Sequence, residues 1–504
     1  MKSNDPPVRK RDGLDYFAFF LLAATLLFAP LIKGGNRPLP LLTLELAAVL
    51  LLAYPLMRPV FLRRLPVGFL VGLALLILLP MIQLLPMPFT IWQTLPGREL
   101  YAKALAAFGV SGDAGMRPLS LIPRATEAAW LALLPPLAVF LVAVSLSETA
   151  LRKLVYLFIG IASIQAILAL VQFGGGAATT FRLSLSDIGT GVGTYVNRNH
   201  LAGLLAMALP VALGLLASRI GRPEEDMRYF SRGLLSRLAD ALSHSSRLNQ
   251  ILIFGAVCIA ILLGVIFSRS RSGISLAMLG ILLSAIFYGH RIGGQRSTNL
   301  VALFSVIGLA LALEVGLAPV LERFSVEGTL EDARWDIFVS SVTGLGSFFP
   351  FGSGLGTYPD IYRRFQPDSI AQFVNHAHND YIEYVFEGGL IAVAVILLFL
   401  VMYVRAWPRL FHLPQWGTLS FMQVGAGIGL LLMALHGMTD YNWHIPANAI
   451  YFALLAGVFF HRGEKPPLVE PETKPEVTIP LAPQVPVPPQ VPAVPSSAKN
   501  PFDD

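Results

Sequence analysis

The sequence contains little charge and almost no cysteine. Asp, Glu, Lys and Arg make up only 13% of its 504 residues, whereas a soluble protein carries about 25%. The single cysteine, Cys258, lies inside an apolar run, which excludes disulfide bonds within the chain and thiolate metal sites. These shortages exclude both an ordinary soluble domain and a small disulfide-rich one.

The sequence is instead rich in apolar residues. They make up 55% of the sequence, and several runs reach the ~20 residues that a helix needs to cross a bilayer. Because a helix satisfies its backbone hydrogen bonds within one segment, we predict an all-α polytopic membrane protein with about 12 transmembrane helices. The predicted spans are 14–33, 39–57, 66–84, 126–146, 151–173, 200–218, 249–267, 273–289, 299–320, 381–404, 418–436 and 446–461.

The basic residues predict the topology. Starting from a cytoplasmic N-terminus, short arginine-rich connections fall on the inner side, for example at Arg63, Arg64, Arg152 and Arg405. This alternation places both termini in the cytoplasm. No small-residue cleavage site follows the first apolar run, which is therefore predicted to be a signal-anchor helix. The net charge of +6 records the inner-side bias and gives no reason to expect nucleic-acid binding.

Two segments differ from the apolar spans. The outer loop 321–380 is too long for a plain connection, and long loops of this kind tend to be functional. Residues 462–504 include "PLAPQVPVPPQVPAVP" and show no core-forming pattern. They are predicted to form a disordered, partly polyproline cytoplasmic tail.

Three arginines are predicted to lie on the outer face. Arg198 belongs to "GTYVNRNHLAG" (193–203), and Arg269 and Arg271 belong to "FSRSRSG" (267–273). Arginine at a membrane boundary is costly to place and marks a functional site by default. Its guanidinium group binds phosphate oxygens in pairs, which suits a diphosphate. The alternative is that Arg269 and Arg271 extend to the phosphates of membrane lipids.

The stretch "FVNHAHNDYIEY" (373–384) holds two histidines at the entry to a predicted span. Residues two apart on a helix point in nearly opposite directions, which argues against a shared metal at His376 and His378. Asp380 and Glu383 fit a capping box, with Asp380 as the N-cap. A histidine with an ordinary pKa of ~6.5 suits a general base, and His378 is the preferred candidate. His376 is expected to tie the loop to the helix, and no metal site is predicted.

Two further motifs lie on the same side. "FPFGSGLGTYPD" (349–360) lacks the strand and helix of a dinucleotide-binding motif, and it is expected to turn tightly near a bound lipid-linked glycan. "HGMTDYNWHIPAN" (436–448) places Asp440 at the outer end of a span. Asp440 either orients a catalytic group or is a satisfied polar helix end.

In their order along the chain, "NRNHLAG", "SRSRSG", "HAHNDYIEYVFEGG" and "HGMTDYNWHIP" resemble the O-antigen ligase and polymerase superfamily of membrane glycosyltransferases (Wzy_C type). The resemblance covers roughly 190–460. In the ligase signature, a His-Asn pair is followed after nine residues by Gly, as His378-Asn379 is followed by Gly389. The last signature position is Ala392 instead of Gly, Thr or Tyr, which weakens the ligase branch relative to the wider superfamily.

The resemblance implies a GT-C-like enzyme of surface polysaccharide biosynthesis in the bacterial inner membrane. It would move a glycan from undecaprenyl diphosphate to an acceptor hydroxyl on the periplasmic face, with inversion and without a metal or other cofactor. His378 would be the base; Arg198 and Arg271 would hold the diphosphate, with Arg269 as a close competitor. The supporting candidates are Asn199, His200, His376, Asn379, Asp380 and Asp440. The implied domains are N-terminal helices (1–189), a catalytic region (190–461) and the tail (462–504).

Several alternatives remain. The acceptor is the lipid A core in a ligase, another lipid-linked repeat unit in an O-antigen or exopolysaccharide polymerase, or a protein side chain in an oligosaccharyltransferase. The alternatives from other classes are a small-solute or anion transporter and a structural assembly partner. Transporters tend to place ionisable residues near the midplane of two related halves, whereas this sequence concentrates polar groups at the outer edge.

Overall fold

The structure, a computed structural model, describes residues 13–58, 65–109, 115–175, 190–220, 246–292, 328–413 and 415–462. The chain divides into two units, Met1–Arg462 and Gly463–Asp504. The second unit, which holds nearly all of the predicted proline-rich tail, lies outside the described residues.

The described part of the chain is built of helices. Before the long outer loop these are α1 (Gly13–Phe28), α2 (Pro38–Met57), α3 (Val67–Leu84), α4 (Phe89–Trp92), α5 (Glu99–Ala107), α6 (Pro123–Ala132), α7 (Leu134–Ser145), α8 (Glu148–Gly174), α9 (Arg198–Ile220), α10 (Ser246–Phe267) and α11 (Arg271–Ile292). The later helices are α12 (Gly328–Phe348), α13 (Tyr358–Ile361), α14 (Asp380–Phe411), α15 (Thr418–His436) and α16 (Pro446–Phe460). Two 3-10 turns occur at Lys33–Gly35 and Tyr362–Arg364. Strands β1 (Pro86–Pro88) and β2 (Met116–Pro118) form an antiparallel pair.

Nine helical segments among the described residues are long and apolar enough to cross a membrane, with α6 and α7 counted together as Pro123–Ser145. The two shorter apolar helices are α1 and α16. Together these segments match every predicted span except 299–320, which lies outside the described residues. The prediction of an all-α polytopic membrane protein is confirmed.

Helix α9 is the centre of the bundle. It is 94% buried along its most apolar stretch, far more than a helix that faces lipid along one side. It packs closely on α15, because a Cβ atom on Gly425 would lie 2.7 Å from the carbonyl oxygen of Pro210 and one on Gly429 would lie 2.7 Å from that of Met207. Small residues permit such close approach of helix backbones in a membrane. The backbones of α9 and α15 are therefore in close contact along the middle of both helices.

The described part of the long loop, from 328 onward, forms a folded layer with its own core, called the outer layer after its predicted side. It contains α12 and α13, and its side chains pack on the first turns of α14. The core residues of this layer are Ile337, Phe348, Tyr358, Ile361, Tyr362, Val374, Ala377, Ile382 and Phe386. Burial of this apolar surface holds the segment before α14 in a defined position.

Arg98 joins the layer to the β1–β2 segment. Its side chain is fully buried and donates hydrogen bonds to the carbonyl oxygens of Pro96, Leu119 and Gly352 at 2.7–2.8 Å. Burial lowers the pKa of Arg98 to about 10. A buried guanidinium group is stable here because its two terminal nitrogens donate to three carbonyl oxygens.

The predicted tight turn at the glycine run is confirmed. Gly352, Gly354 and Gly356 have φ values of 78°, 116° and 72°, which favour glycine. A Cβ atom on Gly352 would lie 2.1 Å from the carbonyl oxygen of Glu387. The turn is therefore packed against the backbone of α14.

Helix α14 is broken where this turn meets it. Gly389 has φ 57° and ψ −139°, and the N–H of Leu390 donates to the carbonyl oxygen of Pro350 at 2.8 Å. The freed carbonyl oxygen of Glu387 accepts hydrogen bonds from Gly354 N at 3.0 Å and from Gln83 Nε2 at 2.8 Å. The break is tolerated because neighbouring segments satisfy its backbone groups.

Candidate active site

His378 lies in the loop just before α14 and has a left-handed backbone, with φ 51°. The helix that follows is capped by Asn379, whose side chain accepts hydrogen bonds from Tyr381 N and Ile382 N at 3.1 Å. A positive φ is uncommon outside glycine and often marks a functional site. The loop therefore presents the His378 ring in one orientation.

The prediction that Asp380 is the N-cap is wrong. Its carboxylate points away from the helix end, accepts a hydrogen bond from Trp443 N at 3.2 Å and lies 2.9 Å from His444 Nδ1. The predicted capping box is also wrong, because Glu383 accepts a hydrogen bond from Ala377 N at 2.8 Å. Both carboxylates bind neighbouring loops.

His378 and Asp440 form a hydrogen-bonded pair. Nδ1 of His378 lies 3.1 Å from Oδ1 of Asp440, whose side chain is fully buried. An ionised carboxylate only accepts hydrogen bonds, so Nδ1 of His378 carries the proton. Nε2 is then unprotonated and can accept a proton. The His378 side chain is 25% exposed, which leaves the ring accessible from outside.

Asn199 completes this arrangement from the first turn of α9. Its Nδ2 donates to Oδ2 of Asp440 at 2.7 Å, and Tyr441 N donates to Oδ1 at 3.0 Å. Burial acts to raise the pKa of Asp440, but the hydrogen bond with His378 and nearby positive groups, including Arg334, outweigh it and lower the pKa. Asp440 is therefore ionised at neutral pH, and it orients a histidine as a triad carboxylate does.

The three arginines named from sequence are all exposed at helix starts. Arg198 is the first residue of α9, Arg271 is the first residue of α11, and Arg269 precedes α11 with φ 56°. The first turns of α9 and α11 are in contact, since a Cβ atom on Gly273 would lie 2.4 Å from that of Ala202. Helix N-termini favour anions, so two positive helix ends add to the arginine charges.

A side-chain contact links α11 to the loop that carries Asp440. Ser272 Oγ lies 3.1 Å from Nε2 of His436, the last residue of α15. Asp440 N donates to the carbonyl oxygen of His436 at 3.1 Å. Ser272, the residue after Arg271, is thus connected through His436 to Asp440, whose carboxylate contacts His378.

His376 and His378 contact different carboxylates: His376 contacts Glu383, and His378 contacts Asp440. Nδ1 of His376 lies 2.8 Å from Oε1 of Glu383, which is the loop-to-helix contact expected from sequence. The His376 ring stacks on Tyr441, with ring centres 4.1 Å apart. The other named histidine, His200, is buried, and its ring meets Tyr441 edge-on at 4.8 Å.

Sequence reasoning missed His444. Its Nδ1 lies 2.9 Å from Asp380 Oδ1, and its Nε2 lies 3.3 Å from Glu383 Oε1. Burial acts to lower its pKa, but the charge of Glu383 and the hydrogen bond with Asp380 raise the pKa to about 9. The available signal was a second histidine in "HGMTDYNWHIPAN", close to Asp440. The donor atoms of His376, Glu383 and His444 lie within 4.8 Å of one another, a spacing that could hold a metal ion.

The fold and the site together define a polytopic helical membrane protein with a His–Asp pair beside arginine-bearing helix N-termini. Residues 256–397 match the family model described as O-antigen ligase (Wzy_C). The match supports a likeness of this part of the chain to the O-antigen ligase/polymerase superfamily. It includes Arg269, Arg271 and His378, whereas Arg198 and Asp440 lie outside it. A search of curated proteins gives no match to the chain.

Proposed function

We propose that the protein is an O-antigen ligase/polymerase-like glycosyltransferase that moves a glycan from undecaprenyl diphosphate to an acceptor hydroxyl on the periplasmic face of the inner membrane. The family match supports a glycan ligase or polymerase function in general. The observation that carries the specific reaction is the hydrogen bond between His378 and the buried Asp440.

In this proposal His378 is the general base. Nε2 takes the proton of the acceptor hydroxyl as the acceptor oxygen attacks the anomeric carbon. Asp440 stabilises the imidazolium ion that forms, and Asn199 holds the carboxylate through its 2.7 Å hydrogen bond. A base of this kind contributes about 10²–10⁴-fold to the rate.

The arginines bind the departing diphosphate. As the new oxygen–carbon bond forms, the bond from the anomeric carbon to the diphosphate oxygen breaks, and its electron pair stays with the diphosphate. Arg198 and Arg271 stabilise that charge, with Arg269 beside them. A single displacement inverts the anomeric carbon, and no bond change in it requires a metal or another cofactor.

The acceptor is a lipid A core, a second lipid-linked repeat unit or a protein side chain. All three offer a hydroxyl group to the same base, so the His–Asp pair serves ligase, polymerase and oligosaccharyltransferase chemistry alike. The proposed topology has both termini in the cytoplasm, His378 on the periplasmic side and membrane lipids around the spans; the inner loops carry the positive charge.

The test uses a strain that lacks the gene, complemented with variants. His378→Asn is the sharpest substitution, because asparagine tolerates a positive φ but cannot act as the base. We expect its surface glycan to match that of the deletion, while the control His412→Ala restores the glycan. Accumulation of unpolymerised single units would identify a polymerase.

A purified assay with a lipid-diphosphate-linked glycan then separates the two roles. We expect His378→Asn to lower kcat by about 10²–10⁴-fold. Arg271→Lys keeps the charge but loses paired phosphate binding, and it should weaken donor binding as well as the rate. Full activity in both His378→Asn and Arg271→Ala would refute the proposal.

A further inference from the structure

A second cluster of chemically active side chains lies beside His378 and has no part in the proposed transfer. It joins three segments: His376 from the loop before α14, Glu383 from the first turns of α14, and His444 from the loop before α16. Glu383 Oε1 lies 2.8 Å from His376 Nδ1 and 3.3 Å from His444 Nε2. The three side chains thus aim one donor atom each at a common point.

Two of these donors, from His444 and Glu383, have supporting contacts of the kind found in metal sites. Nδ1 of His444 faces the Asp380 carboxylate at 2.9 Å, which directs Nε2 toward the common point. The second oxygen of Glu383 accepts a hydrogen bond from Ala377 N at 2.8 Å. Metal-binding histidines almost always have such a carboxylate or carbonyl on the other ring nitrogen. The Asp380–His444 pair supplies that support.

The charge balance requires positive charge at the cluster. Asp380 and Glu383 are buried, with 0% and 1% of their side chains exposed. In the described ranges of the chain, the ion-pair partners of these two carboxylates are histidines, without lysine or arginine. Buried carboxylates require a compensating charge. His376 and His444 are 18% and 19% exposed, which leaves a route from outside to the cluster.

We propose that His376, Glu383 and His444 bind one divalent transition-metal ion of the zinc class, with water as the fourth ligand. Two imidazoles and one carboxylate are a known zinc set, and imidazole favours zinc over magnesium or calcium. The ion holds the loop that carries His378 against the loop that carries Asp440. It is a positioning ion, and its presence is tested by metal binding, which is measured independently of the transfer reaction.

A metal-free arrangement makes a different prediction. In it, a doubly protonated His444 bridges Asp380 and Glu383 by donating from both ring nitrogens. The cluster is then complete without an ion, and added zinc has no specific place to bind. Metal stoichiometry of the purified full chain distinguishes the two arrangements.

The experiment measures Zn²⁺ binding to the full-length protein in detergent after removal of metals with EDTA. We expect one zinc ion per chain by calorimetry and elemental analysis, and visible absorption bands of a four-coordinate site when Co²⁺ replaces zinc. Asp380→Asn should weaken binding by about 10–100-fold, since it removes the group that orients His444.

Matched variants separate ligands from other histidines. His444→Ala and the near-isosteric Glu383→Gln should abolish the bound ion, whereas His412→Ala should retain it. Circular dichroism of each variant checks that the helices are intact. If His444→Ala does not fold, Glu383→Gln still tests the site, because it removes a ligand with almost no change in shape. Zinc-free wild-type protein after titration, or equal binding by wild type and Glu383→Gln, would overturn the proposal.

Discussion

Asn199 and Asp440 lie 241 positions apart in the chain, yet the Asn199 amide donates to the buried Asp440 carboxylate at 2.7 Å. The contact joins the first turn of α9 to the loop after α15. Asp440 in turn binds His378, so one hydrogen-bonded row runs from the arginine-bearing end of α9 to the proposed base. The row connects the helix end that carries Arg198, a proposed diphosphate ligand, to the proposed base.

Removal of the Asn199 amide should disturb both stability and activity. Hydrogen bonds to charged groups contribute about 1.5–3 kcal/mol, and we expect Asn199→Ala to lower the free energy of unfolding by that amount. The measurement is chemical unfolding of the purified protein in detergent. Asn249→Ala changes an exposed asparagine at the other end of the bundle and should have no measurable effect. Equal stability of the two variants would contradict the Asn199–Asp440 contact.

The contribution of Asp440 should depend on pH in one direction. Because its pKa is lowered in the folded state, the ionised carboxylate stabilises the protein above the ordinary pKa of 3.8, and this stabilisation is lost as the pH falls below that value. The difference in unfolding free energy between wild type and Asp440→Asn should be constant from about pH 7 to 5 and shrink below about pH 4. If the stability difference between wild type and Asp440→Asn grew on acidification, the pKa of Asp440 would not be lowered in the folded state.

The break in α14 should make Gly389 intolerant of a side chain. A Cβ atom there would lie 2.1 Å from the carbonyl oxygen of Pro350, in a backbone conformation that is nearly restricted to glycine. We expect Gly389→Ala to cost at least about 1–3 kcal/mol of unfolding free energy. Gly346→Ala is the matched control, since nothing lies within 4 Å of its added Cβ and alanine favours a helix. Similar melting temperatures for the two variants would rule out the break.

Arg98 should be essential for the outer layer. Arg98→Ala leaves three carbonyl oxygens without their charged donor, and we expect a loss of about 3 kcal/mol or more. Limited proteolysis of the outer segments should accelerate in parallel. Lys103→Ala alters an exposed basic residue on the neighbouring α5, and its proteolysis should match that of wild type.

The fold was largely predictable from the sequence, since an apolar run of bilayer length forms a transmembrane helix that satisfies its own backbone hydrogen bonds. His378 could be named as a candidate because imidazole suits a general base and because His378-Asn379 resembles the ligase signature. The role of His444 and the row through Asn199 could not be predicted, because they depend on contacts between loops far apart in sequence. The Asp380 cap was wrong for a related reason: a local pattern fitted, but Asn379 takes the cap and Asp380 binds the loop at 443–444.

The break at Gly389 divides α14 into a shorter polar segment and a segment of bilayer length. At about 1.5 Å per residue, the 32 residues of α14 would extend roughly 48 Å if the helix were unbroken, well beyond a hydrocarbon core of about 30 Å. The segment 390–411 alone extends roughly 33 Å and matches that thickness. The ten residues before it can then stand above the hydrocarbon at headgroup level, so Asp380, Glu383 and Glu387 need not enter lipid. A membrane of different thickness would be accommodated by the lower segment, while the upper one stays fixed to the outer layer.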